Sequence, residues 1–480
     1  MRVVGRGARS RALAALTILG LVATLLLAGC DDEPEKKPQR PPRSTVQQKT
    51  TLTFGVWGPL EEIQAFREMV DDYNAEATAV KVEVRSWRDS RTMMAAFQGG
   101  EQVPDLFMIT RSQLADVREQ ERNKPLLDLL DERGVEYGDG YYRDAIEAFS
   151  GDDELQCMPY GVSPMVIYYN PDLVDFDRMR RRGLPTPREG DENRGWNFEQ
   201  FRAAAEFASR PRKHSRGLYV EPTLRGLSPF IYAAGGHIYN DDAEPTSLAL
   251  SDGSTQDALT TALEVLRDPQ ITLTERQLNR RPALEWFKRG KLGMLPGFRD
   301  LTPELRGTPG LNFDVMPMPR ISRKATVGDF TGLCISAKSP AVSQAADFLV
   351  HAISDDALSK VTEAGYFAPA NLDVATSDAF LQPDQRPAHA GVFNASVNDM
   401  VLQPLIDDYT SLERVISGPL EEMLEAPVLD IEALTERADE QSRRILDPDY
   451  EPPESPSGSG SPSGSDDEDP DDSDSDSSSE

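Results

Sequence analysis

The chain has 480 residues, 39% of them apolar and 7% aromatic, and a formal net charge of −30. A surface that acidic repels nucleic acid, which is therefore not an expected partner. Three cysteines are too few for a disulfide-rich scaffold or a cysteine-based metal site.

Arg2, Arg6, Arg9 and Arg11 form a basic leader, and Ala12 to Ala28 follows without a charge. A basic region, an apolar core and small residues before a cut site make an export signal. The competing reading is a transmembrane anchor, for which about 20 apolar residues are wanted and this run is marginal. It closes on Leu27-Ala28-Gly29-Cys30, which resembles the bacterial lipobox, whose cysteine is acylated and becomes the mature N-terminus. Residues 1–29 are thus expected to be a lipoprotein signal peptide. Cys30 would carry the lipid, and palmitate with further acyl chains would hold the protein to the outer face of the cytoplasmic membrane. Residues 30–50 are rich in charge and proline and read as a disordered tether. Residues 451–480 contain only Pro, Ser, Gly, Asp and Glu, with eleven acids and no base, and read as a disordered tail. The tail is either simply solvated or a site for a cation or basic partner.

About 400 residues lie between these ends, a length that suits two lobes rather than one core. Thr51 to Trp57 reads as a buried strand, followed by a helix with Leu60, Ile63, Phe66, Val70 and Tyr73 on one face. Val80, Val82 and Val84 alternate with charged residues, the period of a half-buried strand. A helix over Asp89–Phe97 and a strand over Pro104–Thr110 come next. Strands alternating with helices predict a parallel sheet with helices on both faces, and ligands sit at the C-terminal ends of such strands. Here those ends are Trp57-Gly58-Pro59 and Thr110-Arg111-Ser112. Further on, strands are expected at Met165–Asn170, Leu292–Gly297, Leu311–Met318 and Thr331–Ala337. Helices are expected over Phe198–Ser209, Thr255–Leu266, Pro282–Arg289 and Val342–Ala352, and through most of Asn394–Ile445.

Several local signatures, in order, resemble the extracellular solute-binding proteins of ABC importers, the family that includes maltodextrin-binding proteins. They are Leu52 to Gly58, Pro104-Asp105-Leu106, Tyr168-Tyr169-Asn170-Pro171-Asp172-Leu173, Trp196-Asn197-Phe198-Glu199 and Gly235-Gly236. Phe287 to Met294 follows the family pattern Phe-x-x-Gly-Lys-x-Ala-Met except at Gly293. The resemblance implies an α/β fold of two lobes, the type II periplasmic-binding-protein fold, each lobe a sheet flanked by helices and joined by hinge strands. Lobe one would span 51–161 with 334–366, and lobe two 162–331 with 367–450. It also implies a monomeric receptor that closes on a small polar solute, such as a mono- or oligosaccharide, and delivers it to permease subunits, with no cofactor.

The site residues implied are Trp57 as an aromatic platform, with Arg111 and Ser112 after the third strand. Tyr160 and Ser163 flank the first crossing. Ser163 falls where maltodextrin-binding members place an acid, which puts maltodextrin itself in doubt. Phe298, Arg299 and Asp300 stand where members often carry a stacking tryptophan, and Asp329 and Phe330 precede the second crossing. Each has a bland alternative: core for Trp57, solvated surface for Arg111, a structural ion pair for Arg299 and Asp300. Trp196, Trp286 and Phe287 read as packing. In the family the crossing strands are neighbours, which would bring Cys157 and Cys334 together as a disulfide. Two buried thiols are the alternative.

His214, His237, His351 and His389 are scattered without metal spacing, and no nucleophile elbow or phosphate loop occurs. No catalytic group and no metal are expected. A surface-anchored glycoside hydrolase needs only two carboxylates and stays open as a rival. A ligand-sensing lipoprotein without a transport role is the other.

Overall fold

The computed structural model describes residues 49–190, 194–406 and 408–451. The expected signal peptide, Cys30, most of the tether and nearly all of the acidic tail lie outside the described residues. Among the described residues, no helix is long and apolar enough to cross a membrane.

The strands are β1 (Thr50–Trp57), β2 (Val80–Trp87), β3 (Leu106–Thr110), β4 (Asn123–Lys124), β5 (Ser150–Gly151), β6 (Glu154–Leu155) and β7 (Met158–Pro164). They continue as β8 (Val166–Tyr169), β9 (Arg216–Leu218), β10 (Leu292–Gly297), β11 (Asp314–Met316), β12 (Gly328–Ser336) and β13 (Ala368–Pro369). One sheet of seven has the order β13-β7-β12-β3-β1-β2, with β4 also beside β12. A second sheet of four has the order β11-β8-β10-β9, and β5 and β6 form a small hairpin.

The larger sheet is built as the residue pattern dictates. β1 pairs in parallel with β2 and β3, and Leu52, Phe54 and Val56 are buried in its middle. The helix Leu60–Glu76 buries Ile63, Phe66, Met69 and Val70 on one stripe. Its Asn74 clasps Val82 of β2, donating to the carbonyl at 2.9 Å and accepting from the amide at 2.8 Å. Asp89 caps the helix Ser90–Gln98 by accepting from the Thr92 amide at 2.7 Å.

The expected all-parallel sheet is in fact mixed. β12 runs antiparallel to both β3 and β7 because it returns from the other lobe. The strand expected over Leu311–Met318 shrinks to Asp314–Met316, since Pro317 has no N–H to extend the ladder. β13, in the segment expected with lobe two, pairs instead with β7 of the larger sheet.

The lobes are joined where β7 passes through Met165 into β8 and where the chain returns through Val327 into β12. The Met165 amide donates to the Val327 carbonyl at 2.8 Å. A third crossing, not foreseen, runs alongside. The Thr326 amide donates to the Asp399 carbonyl at 2.8 Å, and the Val401 amide donates back to the Thr326 carbonyl at 2.9 Å. Cys157, just before β7, and Cys334 of β12 form a disulfide, with α-carbons 4.5 Å apart. The register that sets Leu333 opposite Met158 brings them face to face.

In the second lobe, Asn197 and Gln200 form a reciprocal cap on the helix Phe198–Ala208. Trp196 is 4% exposed and donates to the Pro317 carbonyl at 2.8 Å, so it serves packing. Phe287 is fully buried, and Trp286 is half-buried against the core.

Candidate functional site

A cleft of about 730 Å³ opens where the C-terminal ends of the first three strands meet the crossings and the second lobe. Trp57 and Gly58 close β1, and Glu61 and Glu62 begin the helix that follows. Arg88 and Asp89 follow β2, and Thr110 ends β3. Gly161 to Ser163 of β7 and Asp329 and Thr331 of β12 supply the crossing strands. The opposing wall carries Arg225, Phe298, Asp300 and Glu304, and Tyr366 also lines the space.

Local geometry fixes the key groups. The indole N–H of Trp57 donates to the Met108 carbonyl at 3.0 Å, which anchors the ring beside β3. Gly58 has φ of 145°, a region that disfavours any side chain, and a β-carbon there would collide with the Glu62 carboxyl. Glu62 is thereby packed against bare backbone and is only 8% exposed. Burial pushes its pKa up to about 8, with Asp300 adding to the shift. Asp300 reaches solvent in the cleft, but its pKa is also raised: loss of bulk water and Asp329 outweigh the pull of Arg225. Arg225 pairs with Asp329, and its guanidinium carbon lies 4.3 Å from the Phe298 ring centroid. The carbonyl of Phe298 accepts from the Tyr168 hydroxyl at 2.8 Å, which holds the loop down.

The expected site residues therefore separate. Trp57, Ser163, Phe298 and Asp329 line the cleft together. Arg111 and Ser112 line a smaller recess of about 140 Å³ by the third crossing, which Arg225 and Asp329 also border. There Arg111 donates to the Gln403 carbonyl at 2.5 Å, and burial lowers its pKa to about 10.

Two expectations are corrected. Tyr160 does not line the cleft: it is 1% exposed and packs against Phe66 and Phe367 in the core. Arg299 is fully buried, with its guanidinium carbon 4.7 Å from the Phe380 centroid and 5.2 Å from that of Phe393. It forms no ion pair with Asp300, because the chain turns between them and sends Arg299 into this aromatic slot. Phe330 is core at 2% exposure, although it borders the smaller recess.

Glu62, Arg225 and Tyr366 were missed. Glu62 had a faint signal, an acid at the start of the helix that follows a strand-ending Trp-Gly-Pro. Arg225 had none, since only tertiary folding brings the helix Leu224–Ala234 to the cleft.

The profile of the family described as "Bacterial extracellular solute-binding protein" matches residues 68–388. The chain belongs to that family. No curated protein sequence matches this solute-binding protein. Among solved structures it resembles Lmo0181 from Listeria monocytogenes, an ABC substrate-binding protein in complex with cycloalternan. The TM-score is 0.69 at 19% identity, covering 83% of this chain and 99% of that one. The GacH receptor of Streptomyces glaucescens, solved unliganded and with acarbose, gives 0.66 at 16% identity, covering 84% and 100%. MalE from Xanthomonas citri, a sugar-binding protein, gives 0.68 at 14%, covering 83% and 97%. The fold of this solute-binding protein is accordingly the two-lobed type II one.

Proposed function

We propose that this chain is the non-enzymatic receptor of an ABC importer and that its cleft takes a mono- or oligosaccharide. The observation that carries this reading is the composition of the cleft: an indole, a phenyl ring and many hydrogen-bonding side chains from both lobes around about 730 Å³. The sugar ligands of similarly folded proteins support it. The lobes divide near 161–165 and 327–334, close about the crossings on the solute, and present the closed form to the permease. Cys30 carries the lipid anchor that holds the receptor at the outer face of the membrane, and the receptor works there as a monomer. Cys30→Ala should release it from membranes when it is expressed with its own leader. If the mutant stays bound with the leader uncut, the anchor is a plain transmembrane helix.

A thermal-shift screen over saccharides tests the receptor reading. A solute at about 100 times its Kd adds roughly 2.7 kcal/mol of stability. Glu62 and Asp300 also give a hydrolase reading something to stand on, since a raised carboxyl facing a second one is what glycoside cleavage uses. A panel of aryl-glycosides separates the two: a receptor binds one equivalent and releases no phenol.

A further inference from the structure

Three charged pairs neutralise part of the cleft. Arg88 holds Asp89 at 2.9 Å, Arg225 holds Asp329, and Lys288 holds Glu304 at 2.8 Å. Three acids are left over. Glu61 is approached by the Tyr366 hydroxyl at 3.4 Å, while Glu62 and Asp300 form no ion pair among the described residues. Glu62 comes from the first lobe and Asp300 from the second, and both line the same cavity. The Glu62 carboxyl also accepts no hydrogen bond among the described residues, although it is nine-tenths buried. Its oxygens still reach the open cleft, so a ligand that displaces the water there must itself supply the partner.

We infer that the solute of this receptor carries a protonated amine, which Glu62 and Asp300 receive from opposite lobes. This rests on the receptor reading above and narrows its solute class. A neutral saccharide would leave Glu62 protonated and Asp300 with no cation beyond the pull of Arg225. An ammonium would favour the charged form of both carboxyls, and an anionic solute would meet an excess of like charge. A metal ion is the poorer fit, because among the described residues no three acids, histidines or cysteines converge to hold one. The two acids sit on different lobes, so an ammonium bound between them rewards closure itself, and Trp57 remains available for the apolar face of a ring.

The test compares two trisaccharides of equal length and linkage, the glucosamine trimer and its fully N-acetylated form, with spermidine and maltotriose as further probes. Calorimetry on the wild-type protein should show the glucosamine trimer binding at least about tenfold more tightly than the acetylated one. The variant carrying Glu62→Gln and Asp300→Asn, both near-isosteric, should bring the two within about threefold. Equal wild-type affinities overturn the inference while leaving a saccharide receptor intact, and so does a preference that survives in the folded double variant. Spermidine binding without any saccharide keeps the amine and removes the sugar. Absence of binding by both amines at millimolar concentration overturns the inference. Should the double variant not fold, the wild-type comparison at low and high salt decides, since only a charge-based preference fades with salt.

Discussion

Arg225 lies 4.3 Å above the ring centroid of Phe298 while its guanidinium pairs with Asp329. One face of the aromatic expected to stack on a sugar is therefore already covered by a cation. Arg225→Ala uncovers the ring and removes one of the two arginines lining the cleft. Binding of an amine-bearing solute should tighten by about 1 kcal/mol, and a neutral saccharide should weaken through loss of a donor. Calorimetry on both ligands checks this. Equal shifts for the two would mean that Arg225 acts only through packing.

Trp57 ends β1 and Arg111 directly follows β3 in the larger sheet, yet they should fail differently. Trp57→Ala removes an apolar surface from the cleft and should cost roughly 1–3 kcal/mol of binding, with little change in the melting of the free protein. Arg111 ties the end of β3 to the third crossing through the Gln403 carbonyl. Its alanine variant should lower the melting temperature while changing affinity less. The two melting curves, with and without ligand, decide it.

Glu62 also makes stability depend on pH. Its folded pKa of about 8 lies above the 4.5 of an ordinary glutamate, so the folded state holds a proton that the unfolded state releases. The groups coupled to it are Asp300, Tyr160 and Tyr366, none of them a cation. Stability should therefore fall as pH rises from about 4.5 to about 8, by at most about 1.4 kcal/mol per pH unit. Glu62→Gln should lose that slope. Urea melts of both proteins at pH 5, 6.5 and 8 measure the difference, and parallel curves would place the carboxyl in its usual range.

The Cys157–Cys334 bridge closes a sequence separation of 177 residues, so it strongly restricts the unfolded chain. Replacing both cysteines with alanine should cost about 2–4 kcal/mol of stability. Cys334 lies in β12 and Cys157 just precedes β7, and neither lines the cleft, so solute affinity should hold. A non-reducing digest read by mass spectrometry should give one peptide pair containing both residues. Alkylation of both in the unfolded, unreduced protein would show that no bridge forms.

The sequence made the first sheet readable because its signals are local. Val80, Val82 and Val84 alternate as a strand must, and Asp89 and Asn197 announce helix starts that their own side chains then cap. Trp57 could be placed by the same logic, since the end of a parallel strand is where such folds meet ligands. What could not be read depends on contacts between distant segments. The antiparallel β12 follows from a return path between lobes that no residue in Gly328–Ser336 encodes. Arg299 and Asp300 are adjacent in sequence and differ only in which way the chain turns, one into the Phe380–Phe393 slot and one into the cleft. Glu62 resembles any first-turn glutamate until Gly58 is seen pressed against its carboxyl.

The third crossing changes what kind of joint links the lobes. Two paired strands with a further segment hydrogen-bonded at Thr326 form a strip, and a strip flexes across its breadth far more readily than it twists. The lobes are then left with essentially one way to approach each other. Solutes of different length would set different values of a single angle, and under the importer role proposed above a transporter resting on both lobes could sense occupancy from that angle without touching the solute.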